Sequence, residues 1–148
     1  MSGPITAADA AHMLGLPDDA AEERFASLAR EYRLYAQAET HHGNHVSAAS
    51  LAGLADLAAR GVELCRAERS VRILDLLAVA AVALCPVDTA VVLDDADGMP
   101  RVTVRSHGQL VVSASHPRLD QAARYCALAL LAREGATGPA CDALRGAL

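Results

Sequence analysis

Residues 89–114 read TAVVLDDADGMPRVTVRSHGQLVVSA, and this stretch decides the fold class. Thr89, Val91, Val92 and Leu93 belong to a short apolar run rich in β-branched side chains. Arg101-Val102-Thr103-Val104-Arg105 alternates polar and apolar, the period of a half-buried strand. A third run begins at Gln109 and ends at Ala114. The breaks between the runs are short. Asp94-Asp95-Ala96-Asp97-Gly98 is turn chemistry, and His107-Gly108 makes a tight turn. Three runs joined by two short loops predict an antiparallel meander. One face of it should be covered. The other should display Thr103 and Arg105, or the valines, according to register.

Helical periods flank this core. Ser70 is placed to cap a helix over residues 71–84, in which only Arg72 and Asp75 interrupt the apolar side chains. A helix apolar all round is expected to be covered all round. On the other flank, Ser115-His116-Pro117 opens a helix with Pro in its first turn. Leu119, Ala122, Ala123, Cys126, Ala127, Leu130 and Leu131 give it an i, i+3, i+4 stripe, and Gly135 ends it. Thr137 is placed to cap a short last helix over residues 139–148. Upstream, Thr6 caps a short helix over residues 7–14, and Gly15-Leu16-Pro17 punctuates the chain. A second helix spans residues 20–38 with Phe25, Leu28, Ala29 and Tyr32 on one face. A third starts at Ser47 or Ser50 and runs to about residue 69. The expected architecture is α+β: an N-terminal helical hairpin, then α-β-β-β-α with a three-stranded antiparallel sheet, then a short C-terminal helix. We expect one compact domain over residues 1–148, with a helical subregion at 6–66 and an αβββα subregion at 70–134.

Composition narrows the chemistry. Hydrophobic residues make up 53% of the 148, which excludes a wholly disordered chain. All thirteen basic residues are Arg; without a Lys amine, Schiff-base catalysis and a P-loop are excluded. Aromatics are 3%, too few for a stacking surface for single-stranded nucleic acid. The net charge of −5 repels phosphates, so no nucleic-acid partner is expected. Cys65, Cys85, Cys126 and Cys141 are widely spaced and lie in apolar stretches, the pattern of buried thiols in a reducing compartment rather than a zinc site. The start of the chain has no basic, apolar leader, and the longest apolar run, residues 76–87, is broken by Pro86. We therefore expect a cytoplasmic protein with no membrane association.

Two stretches resemble known families. Ala11-His12-Met13-Leu14-Gly15-Leu16-Pro17-Asp18-Asp19-Ala20, followed by RFASLAREYR at residues 24–33, resembles the opening of a J-domain, with the likeness covering residues 8–66. The His-Pro-Asp tripeptide that J-proteins use on their chaperone partner is absent: Arg33-Leu34-Tyr35 follows Tyr32. The same stretch looks like the first helices of a helix-turn-helix, but Asp18, Asp19, Glu22 and Glu23 would meet the phosphates. The α-β-β-β-α order of residues 70–134 is similar in topology to a double-stranded-RNA-binding domain. It has six arginines against seven carboxylates, and Asp120 beside Arg118 where such domains carry a basic cluster. Residues 74–104 also look like the opening of a reduced GAF sensor domain.

The sharpest polar cluster is Glu39, His41, His42 and His45. Glu39-x-x-His42 has the ligand spacing of carboxylate-bridged metal bundles, which makes these four the candidate metal ligands, although Gly43-Asn44 points to a solvated loop. A site completed across an oligomer interface is the third reading. Asp94, Asp95 and Asp97 before Gly98 resemble the start of a calcium loop, but Val104 stands where that loop needs its Glu. His107 and His116 read as turn residues. No catalytic residue and no cofactor is indicated. The expected function is a non-enzymatic protein-interaction or regulatory module, homo-oligomeric and with a protein partner. The alternatives are a small-molecule or metal-responsive sensor using His41, His42 and His45 or a sheet pocket, and a small enzyme without a recognisable motif.

Overall fold

Two glycine-ended turns organise the centre of the fold. In the computed structural model, which describes residues 20–148, β1 (Thr89–Ala96), β2 (Met99–Ser106) and β3 (Gln109–Ser115) form one antiparallel sheet in the order β1-β2-β3. Asp97 and Gly98 have φ of 54° and 79°, and His107 and Gly108 have 54° and 70°. Positive φ at both central residues is the twist-matched hairpin turn. The first turn is shorter than the acidic run implied. Asp94 pairs with Arg101, Asp95 with Pro100 and Ala96 with Met99. The cause is visible in the side chains: Arg101 Nε and Nη2 donate to Asp94 Oδ1 and Oδ2 at 2.8 and 2.5 Å, which extends the ladder into the acidic stretch.

The register sends the valines to the helical side. Val102 and Val104 are fully buried, while Arg101, Thr103 and Arg105 share the other face. There Thr103 and Ser113 hydroxyls are hydrogen-bonded at 3.0 Å. A bulge follows Val104, so Val111 is the extra residue of β3.

The helices are α1 (Ala21–His41), α2 (His45–Leu84), α3 (Leu119–Leu131) and α4 (Pro139–Gly146). The fold is α+β with a three-stranded antiparallel sheet and a short C-terminal helix. Pro117 precedes the α3 N-cap, Arg118, instead of lying inside the first turn. The expected third and fourth helices are one: α2 runs unbroken for 40 residues. Ser70 does not cap a helix but sits inside one, buried. No Gly or Pro occurs between residues 62 and 84, so nothing interrupts the backbone ladder there. The start of α2 also lies earlier than Ser47, with the Asn44 carbonyl accepting from the Ala48 N–H at 2.9 Å. The expected helix at 7–14 and the turn after it lie outside the described residues.

The chain divides into two compact units, Met1–Glu68 and Arg69–Leu148, and α2 contributes to both. In the first, Ala21 and Phe25 of α1 pack with Val62 and Cys65 of α2. In the second, Ile73, Leu77, Ala80 and Ala81 of α2 join Val102 and Val104 of β2, Ala122, Ala123, Cys126, Ala127 and Leu130 of α3, and Cys141 and Leu144 of α4. The expectation that residues 71–84 are covered all round is corrected. Val71 and Val79 are 59% exposed and Val82 is 50% exposed. One face, spaced 73, 77, 80, 81, is buried, and its two alanines replace bulk with close approach.

Candidate functional site: the histidine turn, the Asp120 clamp and the sheet edge

α1 ends because Gly43 takes a φ of 78° and reverses the chain. The Asn44 N–H bonds the Glu39 carbonyl at 2.9 Å, and Asn44 Nδ2 donates to Glu39 Oε2 at 2.7 Å. One oxygen of the Glu39 carboxylate thus helps to close the turn. His41 and His42 stand edge to face, their ring centres 5.7 Å apart and both exposed. His45 turns to a shallow groove of about 470 Å³ between α1 and α2, lined also by Ala36, Gln37, Thr40, Ala48 and Ala52. The Thr40 hydroxyl donates back to Ala36 O at 2.9 Å. Among the described residues no three His, Cys, Asp or Glu side chains stand together as a metal-binding set. Glu39, His41, His42 and His45 are therefore close in the chain without converging on one point.

A second cluster carries the only fully buried carboxylate among the described residues. Asp120, 2% exposed, opens α3. Arg118 Nε and Nη2 donate to its two oxygens at 3.0 and 2.7 Å, and Arg69 Nη1 donates to Oδ2 at 2.9 Å. Burial alone pushes the Asp120 carboxyl up. The bonds and charges of Arg118 and Arg69 outweigh it and hold the group below the usual carboxylate range. An ionised carboxylate bridging two guanidiniums has no proton to give at neutral pH and is a weak base, and here it clamps α2 to α3. His116 serves the same turn: its Nδ1 accepts the Arg118 backbone N–H at 3.0 Å, and its ring lies 5.7 Å from Tyr125. The sequence reading missed the clamp. Its signal was there, since Asp120, Ala123 and Ala127 fall on one helical stripe and a charged residue on such a stripe needs partners.

The third feature is the margin of the sheet. Around the two-residue turn, Ala96 and Met99 are a hydrogen-bonded pair, so Ala90, Val92 and Asp94 bond β2 while Thr89, Val91, Leu93 and Asp95 turn their N–H and C=O outward. The His116 N–H on the Pro100 carbonyl at 3.1 Å confirms the alternation from the other side of β2. Among the described residues nothing pairs with the outward groups of Val91 and Leu93. The opposite edge differs: it is bent by the bulge at Val111, whose carbonyl accepts Arg133 Nη1 at 3.2 Å. Leu93 is 52% exposed. No described helix is long and apolar enough to cross a membrane. Comparison with protein-family models, with characterised proteins and with solved structures found no match to the chain.

Proposed function

We propose that the chain is a non-enzymatic, cytoplasmic protein-interaction module with a regulatory role, and that it works as a homo-oligomer. The observation that carries this reading is the bare β1 edge with a half-exposed Leu93 beside it. An unpaired, apolar strand edge is a template for another chain, and proteins that stay monomeric blunt such edges. Large exposed side chains elsewhere, Leu57 at 60% and Val46 at 85% on α2, add surface for a protein partner. The test is the molar mass in solution by light scattering over a hundredfold concentration range. A dimer is expected, and a monomer throughout overturns the oligomeric reading.

A small-molecule sensor is the second reading, favoured by the groove beside His45, whose size is that of a ligand pocket. It predicts a ligand that co-purifies with the native protein and is lost from an Ala48→Trp variant.

A further inference from the structure

We propose that two copies of the chain pair through β1, antiparallel and centred on Val92, to make one continuous six-stranded sheet. This inference rests on the oligomeric reading above and names its surface and geometry.

The two edges of the sheet are unequal. β3 carries a bulge, and Arg133 lies on its outer carbonyl. Both are devices that keep strands from adding. β1 has neither. It runs eight residues without a bulge, a Pro or a basic residue. One open edge and one blunted edge define an assembly that stops at two, because a two-fold pairing uses the open edge of each copy.

The charge pattern of β1 selects the occupant and the direction. The strand is uncharged from Thr89 to Leu93 and acidic at Asp94 and Asp95. A parallel, in-register partner would set Asp94 on Asp94 and Asp95 on Asp95, like charges directly opposed. The antiparallel copy centred on Val92 places Asp94 opposite Ala90 and Asp95 opposite Thr89. No carboxylate then faces another. In the same register the outward residues Val91 and Leu93 face each other across the two-fold, and each such pair exchanges both of its N–H···O bonds. Val91 and Leu93 project to the sheet face that the helices cover, so pairing lines up four apolar side chains and shelters the exposed part of Leu93. Asp94 stays on Arg101 throughout.

Two variants test the geometry. Leu93→Pro deletes an N–H that points away from β2, so it removes no bond within the sheet while blocking the new ladder. Val92→Cys, in a Cys85→Ser background, puts a thiol opposite its own copy at a non-hydrogen-bonded position. There Cα atoms stand about 4.5 Å apart, within reach of a disulfide. The expected result is a dimeric wild type, a monomeric Leu93→Pro with unchanged far-UV circular dichroism, and a Val92→Cys protein that oxidises to a covalent dimer. A dimeric wild type whose mass is unchanged by Leu93→Pro, with Val92→Cys failing to cross-link, overturns the β1 interface and leaves self-association standing. A monomeric wild type overturns both and leaves the edge to a strand of another protein. Should Leu93→Pro lose its helical signal, the cross-link in the folded Val92→Cys protein decides alone.

Discussion

The helical unit and the sheet unit draw on the same alanine-rich composition, and their described residues are buried to different degrees. Among the described residues of the helical unit the larger buried side chains are Phe25, Val62 and Cys65, each still 9% exposed. In the sheet unit Leu77, Leu130, Leu144, Val102 and Val104 are at 0%. The difference follows from the partners. Ala29, Ala55 and Ala58 are buried in the helical unit, and each has only a methyl group to remove from water. A sheet offers β-branched side chains at every second position, and α2, α3 and α4 can fill the space above it. Phe25 is the largest side chain in the described cluster of the helical unit. Phe25 lies on Gly61, where a Cβ would stand 2.6 Å from the ring. A glycine inside a helix costs about 1 kcal/mol against alanine, so its presence marks that contact. Burial at about 25 cal/mol per Å² accumulates faster among the described residues of the sheet unit, and the stability of the described chain should be concentrated there.

The largest effects should come from the buried face of α2 in the sheet unit. Ala80→Asp places a carboxylate with no partner in a closed core and should abolish cooperative unfolding. Leu77→Ala should cost about 2–5 kcal/mol by urea denaturation, the range for a fully buried leucine. Val79→Asp, one residue from Ala80, should stay within about 0.5 kcal/mol of wild type because Val79 faces water. Equal losses at positions 79 and 80 would mean that the exposed face is covered in the working protein, by a second copy or by a partner.

How much of this could be read from the sequence depends on how many structures a local pattern allows. The sheet was legible because period two, Asp-Gly and His-Gly all specify the same hairpins. The α3 stripe was legible because a 3.6-residue period held without interruption. The length of α2 was not legible at Ser70, because serine is both a good N-cap and a tolerated buried helix residue, and only the packing around it decides. The exposed side of residues 71–84 was hidden for a related reason: valines at 71, 79 and 82 do not say whether anything lies over them. The histidine cluster was visible as composition, but its chemistry depends on convergence in space, and Glu39 turned out to be tied to Asn44. Asp120 was legible as an exception to its stripe, though not its bond to Arg69, fifty-one residues away in the chain.

An intermediate effect is expected at the Asp120 clamp. Its folded-state carboxyl titrates below the unfolded value, so its contribution is fully present above the unfolded pKa of about 4 and is lost as pH falls through the lower, folded one. Asp120→Asn should cost about 1–3 kcal/mol at pH 7, since Arg118 and Arg69 each keep about a third of their side chain in water and can rehydrate. The cost should start to shrink as the pH drops below about 4 and go on shrinking down to the lower folded-state value, below which the wild type is protonated as well. Urea midpoints of the two proteins at a series of pH values measure this. A gap that is constant down to the acid limit would show that the ion pairs carry none of the loss.

The smallest effect is a difference in rate, and it bears most directly on the two cores. Cysteine labelling needs both access and thiolate. Cys126 and Cys141 are fully buried in the sheet unit, and burial pushes the Cys126 thiol up to about 11. Cys65 lies at 9% exposure in the helical core. Cys85, at the end of α2, is only partly buried, contrary to the expectation that all four thiols are enclosed. Under native conditions Cys85 should therefore react first with a thiol reagent. A buried thiol reacts only when its surroundings open, so the remaining rates report the opening of each unit. Cys65 should follow, and Cys126 and Cys141 should come last and together. Gly61→Ala should separate the cores further. The new methyl group must displace the root of the Phe25 ring, which loosens the packing around Cys65 and leaves the sheet unit untouched. A selective rise in the Cys65 rate is expected. If Cys65, Cys126 and Cys141 label at one common rate in both proteins, the units open as a single cooperative block, and the contrast in burial between the described residues of the two cores has no energetic meaning.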